Sequence, residues 1–476
     1  MVDSLFELDP DSLSLIYDLL DSPALRALSN SSREGFERIT PLLVRKVQVS
    51  RWAVLPFCKF ALKYGLSSHI ISLRFNLYTV TCSGYYDPNV IAVLDQASNL
   101  KHFTLLIDND GFATPAKMFP SEKLPTSLLS LEMYGAVAPE IERLRAMPRL
   151  MRLVLLPNTF IMHVTTNIAT EAIIKTAAST LESLVLGHAL PPSLRFASPM
   201  PFSCPQLHYL GLSTTRETVS QERVALMFPN LQSLEIKTDS ATEGLVETDR
   251  NVSRHFTCPI KDCGSPSRIV FQHLRSFTGL KELALSLSRY HSLQRLVFNQ
   301  SLSTITEFSV LSNILRNLAI RSLTLSVELY SPRLDVEEIP LLSMLPFARH
   351  LTYFSLCIGR MDYEVCCEFI DSLAQAAPIL TSDLHNLKFF GLRIETSRHS
   401  SLFKTCHHVI IPLKLDIVIN AWSPVIPSLQ YLELDVDHAG LGHDFWRISP
   451  GQGASLQVSE EEGLSVRSWY DTEEWK

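Results

Sequence analysis

The sequence has little glycine and no long apolar run. Its 17 glycines among 476 residues leave few positions where the backbone could approach a phosphate group closely. No stretch of about 18 apolar residues occurs, so no transmembrane helix is expected. The first residues include Asp3, Glu7 and Asp9 rather than a basic segment before an apolar one, which predicts that no signal peptide is present.

The sequence also has no excess of positive charge. Lysine and arginine number 42 against 49 aspartates and glutamates, which gives a formal net charge of −7 at pH 7 and an isoelectric point near 6.1. Proteins that bind nucleic acid or anionic lipid do so with a cationic surface. We therefore predict no nucleic acid and no membrane among the partners.

Cysteine is sparse and scattered along the chain. Isolated cysteines usually act as small buried hydrophobic side chains in a reducing compartment rather than as a disulfide framework. The isolated ones are Cys58, Cys82, Cys204, Cys357 and Cys406. The sequence therefore predicts a cytoplasmic or nuclear protein.

One cluster of thiols and imidazoles resembles a zinc site. His255, Cys258, Cys263 and His273 are ligand types that zinc takes in a tetrahedral site. The histidines, however, flank the cysteine pair on opposite sides, and no closely spaced histidine pair follows. A zinc site and an insertion loop with incidental cysteines both stay open. The loop is the favoured interpretation, so no metal is predicted.

The sequence contains no motif that predicts catalysis. It lacks the phosphate-binding G-x-x-x-x-G-K-[ST] loop, the H-E-x-x-H helix of metalloproteases and the G-x-S-x-G nucleophile turn. The adjacent pair His407-His408 precedes an apolar run, which indicates a loop rather than a pair of ligands. We therefore predict a protein that is not an enzyme and uses no cofactor.

The chain does contain a recurring sequence motif, L-x-x-L-x-L, as in Leu207-x-x-Leu210-x-Leu212. We call this motif the phrase. Its period of two predicts a short strand with one buried face. Further copies start at Ile70, Leu100, Leu128, Leu150, Leu181, Leu231, Leu280, Ile320, Leu351, Leu387 and Leu429, with a weak copy at Ile410. The starts are 22 to 31 residues apart up to Leu231, and the spacing widens after it. This recurrence predicts an α/β leucine-rich-repeat solenoid, an irregular horseshoe with parallel strands on its concave face.

Pattern changes divide the chain into three parts. Residues 1–48 do not follow the repeat. Residues 49–442 form the predicted solenoid, interrupted by a polar insertion at about 238–279, and its first unit contains a helix at about 53–63 that ends at Gly65. Residues 443–476 lose the repeat and form an acidic, tryptophan-containing cap or tail.

The first part is predicted to hold three short helices. The first begins near Asp11 or Ser12. The second begins with Ser22 as its N-cap, since Pro23 fits the first helical turn. The third covers 34–39 and stops before Pro41, because a proline disfavours helical backbone in the preceding residue.

Two phrases in this part resemble a known family. Residues 27–33, Ala-Leu-Ser-Asn-Ser-Ser-Arg, and residues 41–47, Pro-Leu-Leu-Val-Arg-Lys-Val, are similar to the A-L-S-x-T-S-R and P-x-L-x-R-x-V phrases of fungal F-box proteins with leucine-rich repeats. The resemblance implies that the helices dock on a Skp-type adaptor within a cullin-based ubiquitin ligase and that the repeats bind an unidentified target protein. The residues it assigns to adaptor binding are Leu8, Pro10, Leu13, Ile16, Leu20, Leu25 and Leu28.

A second interpretation needs no ligase. A solenoid must shield the open end of its core, and an N-terminal helical module can do so as a simple cap. The chain would then be a leucine-rich-repeat scaffold for protein–protein interaction. Binding to a Skp-type adaptor distinguishes the two.

The outward positions of the strands suggest where a partner binds. The residue before the second apolar position of the phrase is aromatic in Tyr209, Tyr353, Phe389 and Tyr431. Because stacked strands lie about 4.8 Å apart, the last three rings are predicted to form an exposed ladder that anchors a partner. Its polar rim would be Arg393, Glu433 and Asp435. The open alternatives are that the tail's tryptophans cover these rings, or that the rings pack only on one another.

Overall fold

The computed structural model describes the chain in two units, 1–229 and 230–476. The described residues are 13, 16–17, 19–78, 87–108, 120–135, 138–156, 164–187, 194, 202–213, 219–237, 260–261, 271–279, 284, 287, 293–302, 305–328, 347–361, 384–396, 426–437, 443–449 and 455–473.

The first unit begins with helices, as predicted. Leu13, Ile16, Tyr17 and Leu19 are helical, and α1 (Ser22–Ser29) and α2 (Arg33–Leu43) follow. The N-cap of α1 is Asp21 rather than the predicted Ser22, because the Asp21 carboxylate accepts the Ala24 N–H at 2.8 Å.

The prediction that the third helix stops before Pro41 is wrong, since α2 includes that residue. A proline disrupts a helix interior by removing one hydrogen bond, but Pro41 stands in the last turn. The Val44 N–H still donates to the Thr40 carbonyl at 3.1 Å. Ile39 and Val44, on either side, are 0% and 6% exposed, so their burial stabilises the extra turn.

The strands of the first unit pair in parallel, each with the next along the chain. They are β1 (Lys46–Val49), β2 (Ser72–Tyr78), β3 (His102–Asp108), β4 (Ser130–Tyr134), β5 (Arg152–Leu156), β6 (Ser183–Leu186) and β7 (Tyr209–Ser213), followed by the short β8 (Val219–Ser220). The helices between strands are α3 (Val54–Lys63), α4 (Pro88–Gln96), α5 (Ala138–Glu142), α6 (Val164–Thr176) and α7 (Gln221–Met227). Single 3-10 turns cover Arg51–Ala53, Ser67–His69 and Ser121–Lys123. The predicted helix ending at Gly65 is confirmed as α3, and Gly65 has a φ of 63°.

The second unit repeats this parallel order. Its strands are β9 (Ser233–Lys237), the short β10 (Ile260–Lys261), β11 (Ser276–Gly279), β12 (Arg295–Leu302), β13 (Ser322–Glu328), β14 (Tyr353–Met361), β15 (Phe389–Thr396) and β16 (Tyr431–Asp437). Helix α8 (Ile305–Asn317) lies between β12 and β13. Parallel pairing runs β9–β11–β12–β13–β14–β15–β16.

The chain then reverses direction. Strand β17 (His443–Ile448) pairs antiparallel with β16, and β18 (Ser455–Val458) pairs antiparallel with β17. Helix α9 (Glu460–Ser468) continues into a π-helical turn, Trp469–Glu473. We call residues 460–473 the return segment.

The apolar positions of the phrase form the core of each unit. Leu207, Leu210 and Leu212 are 0%, 0% and 1% exposed, and Leu210 is level with Leu184 of the neighbouring strand. Each such side chain contributes about 1.5–3 kcal/mol by burial, while ordering the backbone costs about 1–2 kcal/mol per residue. A single repeat therefore cannot fold alone, and stacking on neighbouring repeats is required. The predicted parallel, stacked α/β sheet is confirmed.

Two repeat positions were predicted incorrectly. The copy expected at Leu280 is instead β11, where Leu274 and Phe277 are buried, and Ala284 after it is helical. The polar insertion therefore ends before Phe271, which is 3% exposed. A further copy, at Leu293, was missed. The weak copy expected at Ile410 lies outside the described residues.

Candidate functional site

The outward face of β11–β16 carries the aromatic ladder. Strand register places Ser322, Tyr353, Phe389 and Tyr431 level with one another on four successive strands. The rings of Tyr353 and Phe389 stack at 5.1 Å between centroids with an interplanar angle of 22°. The predicted side-by-side arrangement is therefore present.

The prediction that this ladder faces solvent is wrong. Tyr353 is 1% exposed and Phe389 is 0% exposed, because the return segment places Tyr470 over them. The Tyr470 ring lies 6.1 Å from Phe389 and 6.3 Å from Tyr431, which is itself half-buried. The alternative that the C-terminal residues cover the rings is closer to the structure, but Trp469 is 48% exposed and a tyrosine provides the cover.

Asp471 anchors the return segment to the sheet. Its two carboxylate oxygens accept from Nε and Nη2 of Arg295 at 2.8 and 2.7 Å, and Oδ1 also accepts from the Ser322 hydroxyl at 2.7 Å. Nη1 of Arg295 donates to the hydroxyls of Ser276 at 3.4 Å and Thr278 at 3.3 Å. Burial acts to lower the pKa of Arg295, but the hydrogen bonds and charge of Asp471 outweigh it and raise that pKa.

Two further polar contacts hold the segment. Nη1 of Arg467 donates to Oε1 of Glu433 at 2.7 Å, and the Tyr470 hydroxyl donates to Gln430 at 2.7 Å. Burial acts to lower the pKa of Arg467, while its interactions with Tyr353 and Glu433 raise it above the usual value. Burial, followed by the charge of Asp471, raises the pKa of Tyr353 to about 12, so this hydroxyl stays neutral at physiological pH.

The predicted polar rim is only partly on the surface. Arg393 and Asp435 are level on adjacent strands and form an ion pair at 3.5 Å, with Arg393 exposed. Glu433 does not belong to the rim, because it is 4% exposed and lies beneath Arg467. The rim prediction therefore fails for Glu433.

Gly463 is required where α9 meets the sheet. A methyl group at this position would overlap the ring of Phe445 in β17. Glycine to alanine in a helix usually stabilises by about 1 kcal/mol, whereas overpacking a filled site costs about 1–3 kcal/mol. We therefore expect Gly463→Ala to lower the unfolding midpoint in denaturant and to speed amide exchange in α9. Ser465→Ala, at an exposed position of the same helix, is the control and should leave both unchanged; a higher midpoint for Gly463→Ala would contradict the packing.

The predicted adaptor-binding residues that the structure describes fall into two groups, one buried residue and four half-buried ones. Leu13 is 4% exposed and belongs to the core, so it cannot contact an adaptor directly. The half-buried residues are Ile16, Leu20, Leu25 and Leu28. Leu19, which the sequence analysis missed, is 86% exposed. Its spacing of three residues from Ile16 places these two on one helix face, and Leu20 follows at a bend. Leu8 and Pro10 lie outside the described residues.

Helix α2 packs against the first repeat. The Phe36 ring meets Phe60 of α3 and Tyr64, the C-cap of α3, edge-on at 6.4 and 5.1 Å between centroids. The outward face of β2–β7 keeps polar side chains at the surface: Arg74, His102 and Arg152 are exposed, and Arg152 donates to Glu132 at 2.6 Å. Tyr209, the first predicted partner-binding aromatic, is half-buried on β7 of this unit, and its binding role stays a prediction.

The described part of the chain has few residues that could bind a metal ion or act as a thiolate. Within it, no group of three or more side chains could hold a metal ion. His273 is exposed, while His255, Cys258 and Cys263 lie outside the described residues. Burial raises the pKa of Cys58 and of Cys204 to about 12, so neither provides a thiolate.

Among the described helices, none has the length and apolar character needed to cross a membrane. No protein-family model matches the chain, and no curated protein matches it significantly. A functional conclusion therefore depends on the geometry of the N-terminal helices and of the strand faces.

Proposed function

We propose that this protein is a cytoplasmic or nuclear substrate-recognition adaptor of a cullin-type ubiquitin ligase. Its N-terminal helices, an F-box-like module, dock on a Skp-type adaptor, and its leucine-rich repeats bind the target protein. The chain acts by proximity, because holding the target near the ubiquitin-charged enzyme raises the target's effective concentration there. No reaction takes place on the chain itself.

The observation that carries this proposal is the exposed apolar side of the helical residues that precede α1, which include Ile16 and Leu19. A single exposed leucine is ordinary in a soluble protein. Here Leu19 shares a helix face with Ile16, three residues earlier, and Leu20 follows at a bend; Ile16 and Leu20 are only half-buried. Grouped apolar side chains form the centre of many interfaces, inside a polar rim.

The packing of α2 favours a second candidate function. Phe36 meets Phe60 of α3 and Tyr64, the C-cap of α3, edge-on, which supports a role of the helices in closing the end of the first unit. A scaffold for protein–protein interaction with no ligase link would need only this role. Docking on an adaptor and capping the core can coexist, and adaptor binding separates the two functions.

Leu19→Glu is expected to weaken capture of the full chain by a purified Skp-type adaptor. A charge at the centre of an apolar contact typically costs 2 kcal/mol or more, or about 30-fold in Kd. The substitution leaves the core alone because the side chain is exposed, so the melting temperature should not change. Leu456→Glu, at another exposed leucine (62% exposed) in β18, is the control and should be captured like the wild type. Failure of the intact chain to bind any Skp-type adaptor would favour the scaffold.

A further inference from the structure

We infer that the outward face of β11–β16 is a binding site for an aromatic–aspartate peptide with an arginine three residues before the aromatic side chain. The return segment occupies that site as an intramolecular ligand, through Arg467, Tyr470 and Asp471. The inference rests on the proposed function in taking a strand face as the target-binding surface, and it specifies the chemistry of the target.

The carboxylate subsite is built by the sheet alone. Arg295, Ser276, Thr278 and Ser322 all lie on strands β11–β13, whose register fixes their positions. Arg295 presents a two-pronged donor, which matches a carboxylate and adds specificity as well as energy. The subsite therefore does not depend on the return segment for its shape, and it can accept the carboxylate of another chain.

An aromatic subsite lies beside it. The stacked rings of Tyr353 and Phe389, with Tyr431 on the next strand, form a surface that Tyr470 covers. Gln430 accepts a hydrogen bond from the Tyr470 hydroxyl at 2.7 Å, so this subsite selects tyrosine over phenylalanine. Because Tyr470 and Asp471 are adjacent, the two subsites together select an aromatic–aspartate pair.

The contacts of the return segment resemble recognition more than permanent packing. Its main anchors are Arg295–Asp471, Arg467–Glu433 and Tyr470–Gln430. A buried ion pair seldom stabilises more than a well-packed apolar pair would, yet it discriminates strongly between partners. The segment's Leu464 and Trp469 meanwhile remain 43% and 48% exposed. Tyr470, at 5% exposed, is the buried exception, so a competing peptide must replace one aromatic side chain and the polar contacts.

Tethering sets the affinity that a competitor needs. A segment joined to its site by a short linker acts at an effective concentration in the millimolar range. A free peptide with the same contacts therefore binds the wild type poorly. Removing Asp471 from the return segment weakens the tethered competitor without altering the sheet, so a free peptide that retains the aspartate should bind better.

The test uses the full chain and a fluorescent peptide with the sequence of residues 464–473. We expect Asp471→Ala to bind this peptide at least tenfold more tightly than the wild type does, by fluorescence anisotropy. Adding Arg295→Ala to that variant should abolish the gain, as should the same peptide with Asp471→Ala. Glu461→Ala, at an exposed position of α9, is the control and should bind like the wild type. Equal affinities for the wild type and a folded Asp471→Ala variant would overturn the inference.

A second measurement needs no variant. Saturating peptide added to the wild type should speed amide exchange in 460–473 while protection in β13–β16 stays unchanged. Unchanged exchange in the return segment at saturation would show that it is a fixed cap. Both measurements use the isolated chain, whereas the proposed ligase role is tested by adaptor capture through Leu19. Either idea can therefore fail without the other.

Discussion

Leu210→Asp is expected to unfold the first unit at room temperature. Leu210 is 0% exposed and lies level with Leu184 in the parallel sheet. The substitution loses about 1.5–3 kcal/mol of apolar burial and places an unpaired carboxylate, or its protonated form, where desolvation costs several kcal/mol more. The sum approaches the 5–15 kcal/mol by which domains are usually stable. Because each repeat contacts only its neighbours, the damage should begin in β7 and spread first to β6.

Denaturant unfolding followed by circular dichroism measures this effect. Leu210→Ala should give an intermediate loss of about 2–5 kcal/mol, since it only creates a cavity. His208→Asp, two residues earlier at an exposed position, is the control and should stay within about 0.5 kcal/mol of the wild type. A cooperative, wild-type-like transition for Leu210→Asp would show that this strand is not part of the core.

Arg295→Ala is expected to release the return segment from the sheet. The substitution leaves the Asp471 carboxylate without its two-pronged partner in a site where both side chains are only 19% exposed. Removing one member of a buried ion pair costs about 3–5 kcal/mol. Local elements can open without global unfolding, so the loss should appear first as faster amide exchange in 460–473. Tyr353 and Phe389 should become accessible at the same time.

A second ion pair to the same segment provides the control. Arg447 of β17 pairs with Glu462 of α9, but both side chains are substantially exposed. Water screens such a pair, so Arg447→Ala should change exchange in the segment only slightly. A double-mutant cycle of Arg295→Ala and Asp471→Ala would isolate their coupling. Additive effects of the two substitutions would mean that the pair does not hold the segment.

These two variants act on different parts of the molecule. Leu210 belongs to the repeated core, which any stacked repeat needs. Arg295 belongs to the outward face of the second unit, where it contacts the return segment and is not part of the repeated core. A variant at the first kind of position should reduce all functions together, whereas one at the second should change peptide binding and leave the sheet intact.

Much of the fold follows from local pattern. The alternation around Leu207–Leu212 predicts a strand with one buried face, and its recurrence predicts parallel stacking, because an aliphatic face must be buried against a neighbour. Helix α3 and its end at Gly65 follow in the same way. The pattern failed at β11, where Phe277 fills the leucine position and Gly279 follows it, because packing requires a buried side chain of suitable volume rather than leucine itself.

The sequence by itself determined most of the parallel strands, their stacking and the outward position of the aromatic ladder, because these depend on spacing within a few residues. It could not determine what covers that ladder. Arg295 and Asp471 are 176 residues apart, and no local period relates them. Only the tertiary structure, by reversing the chain at β17 and returning α9 over the sheet, buries Tyr353 and Phe389 and completes the carboxylate contact. Burial of an outward side chain depends on long-range chain reversal, which spacing within a repeat does not encode.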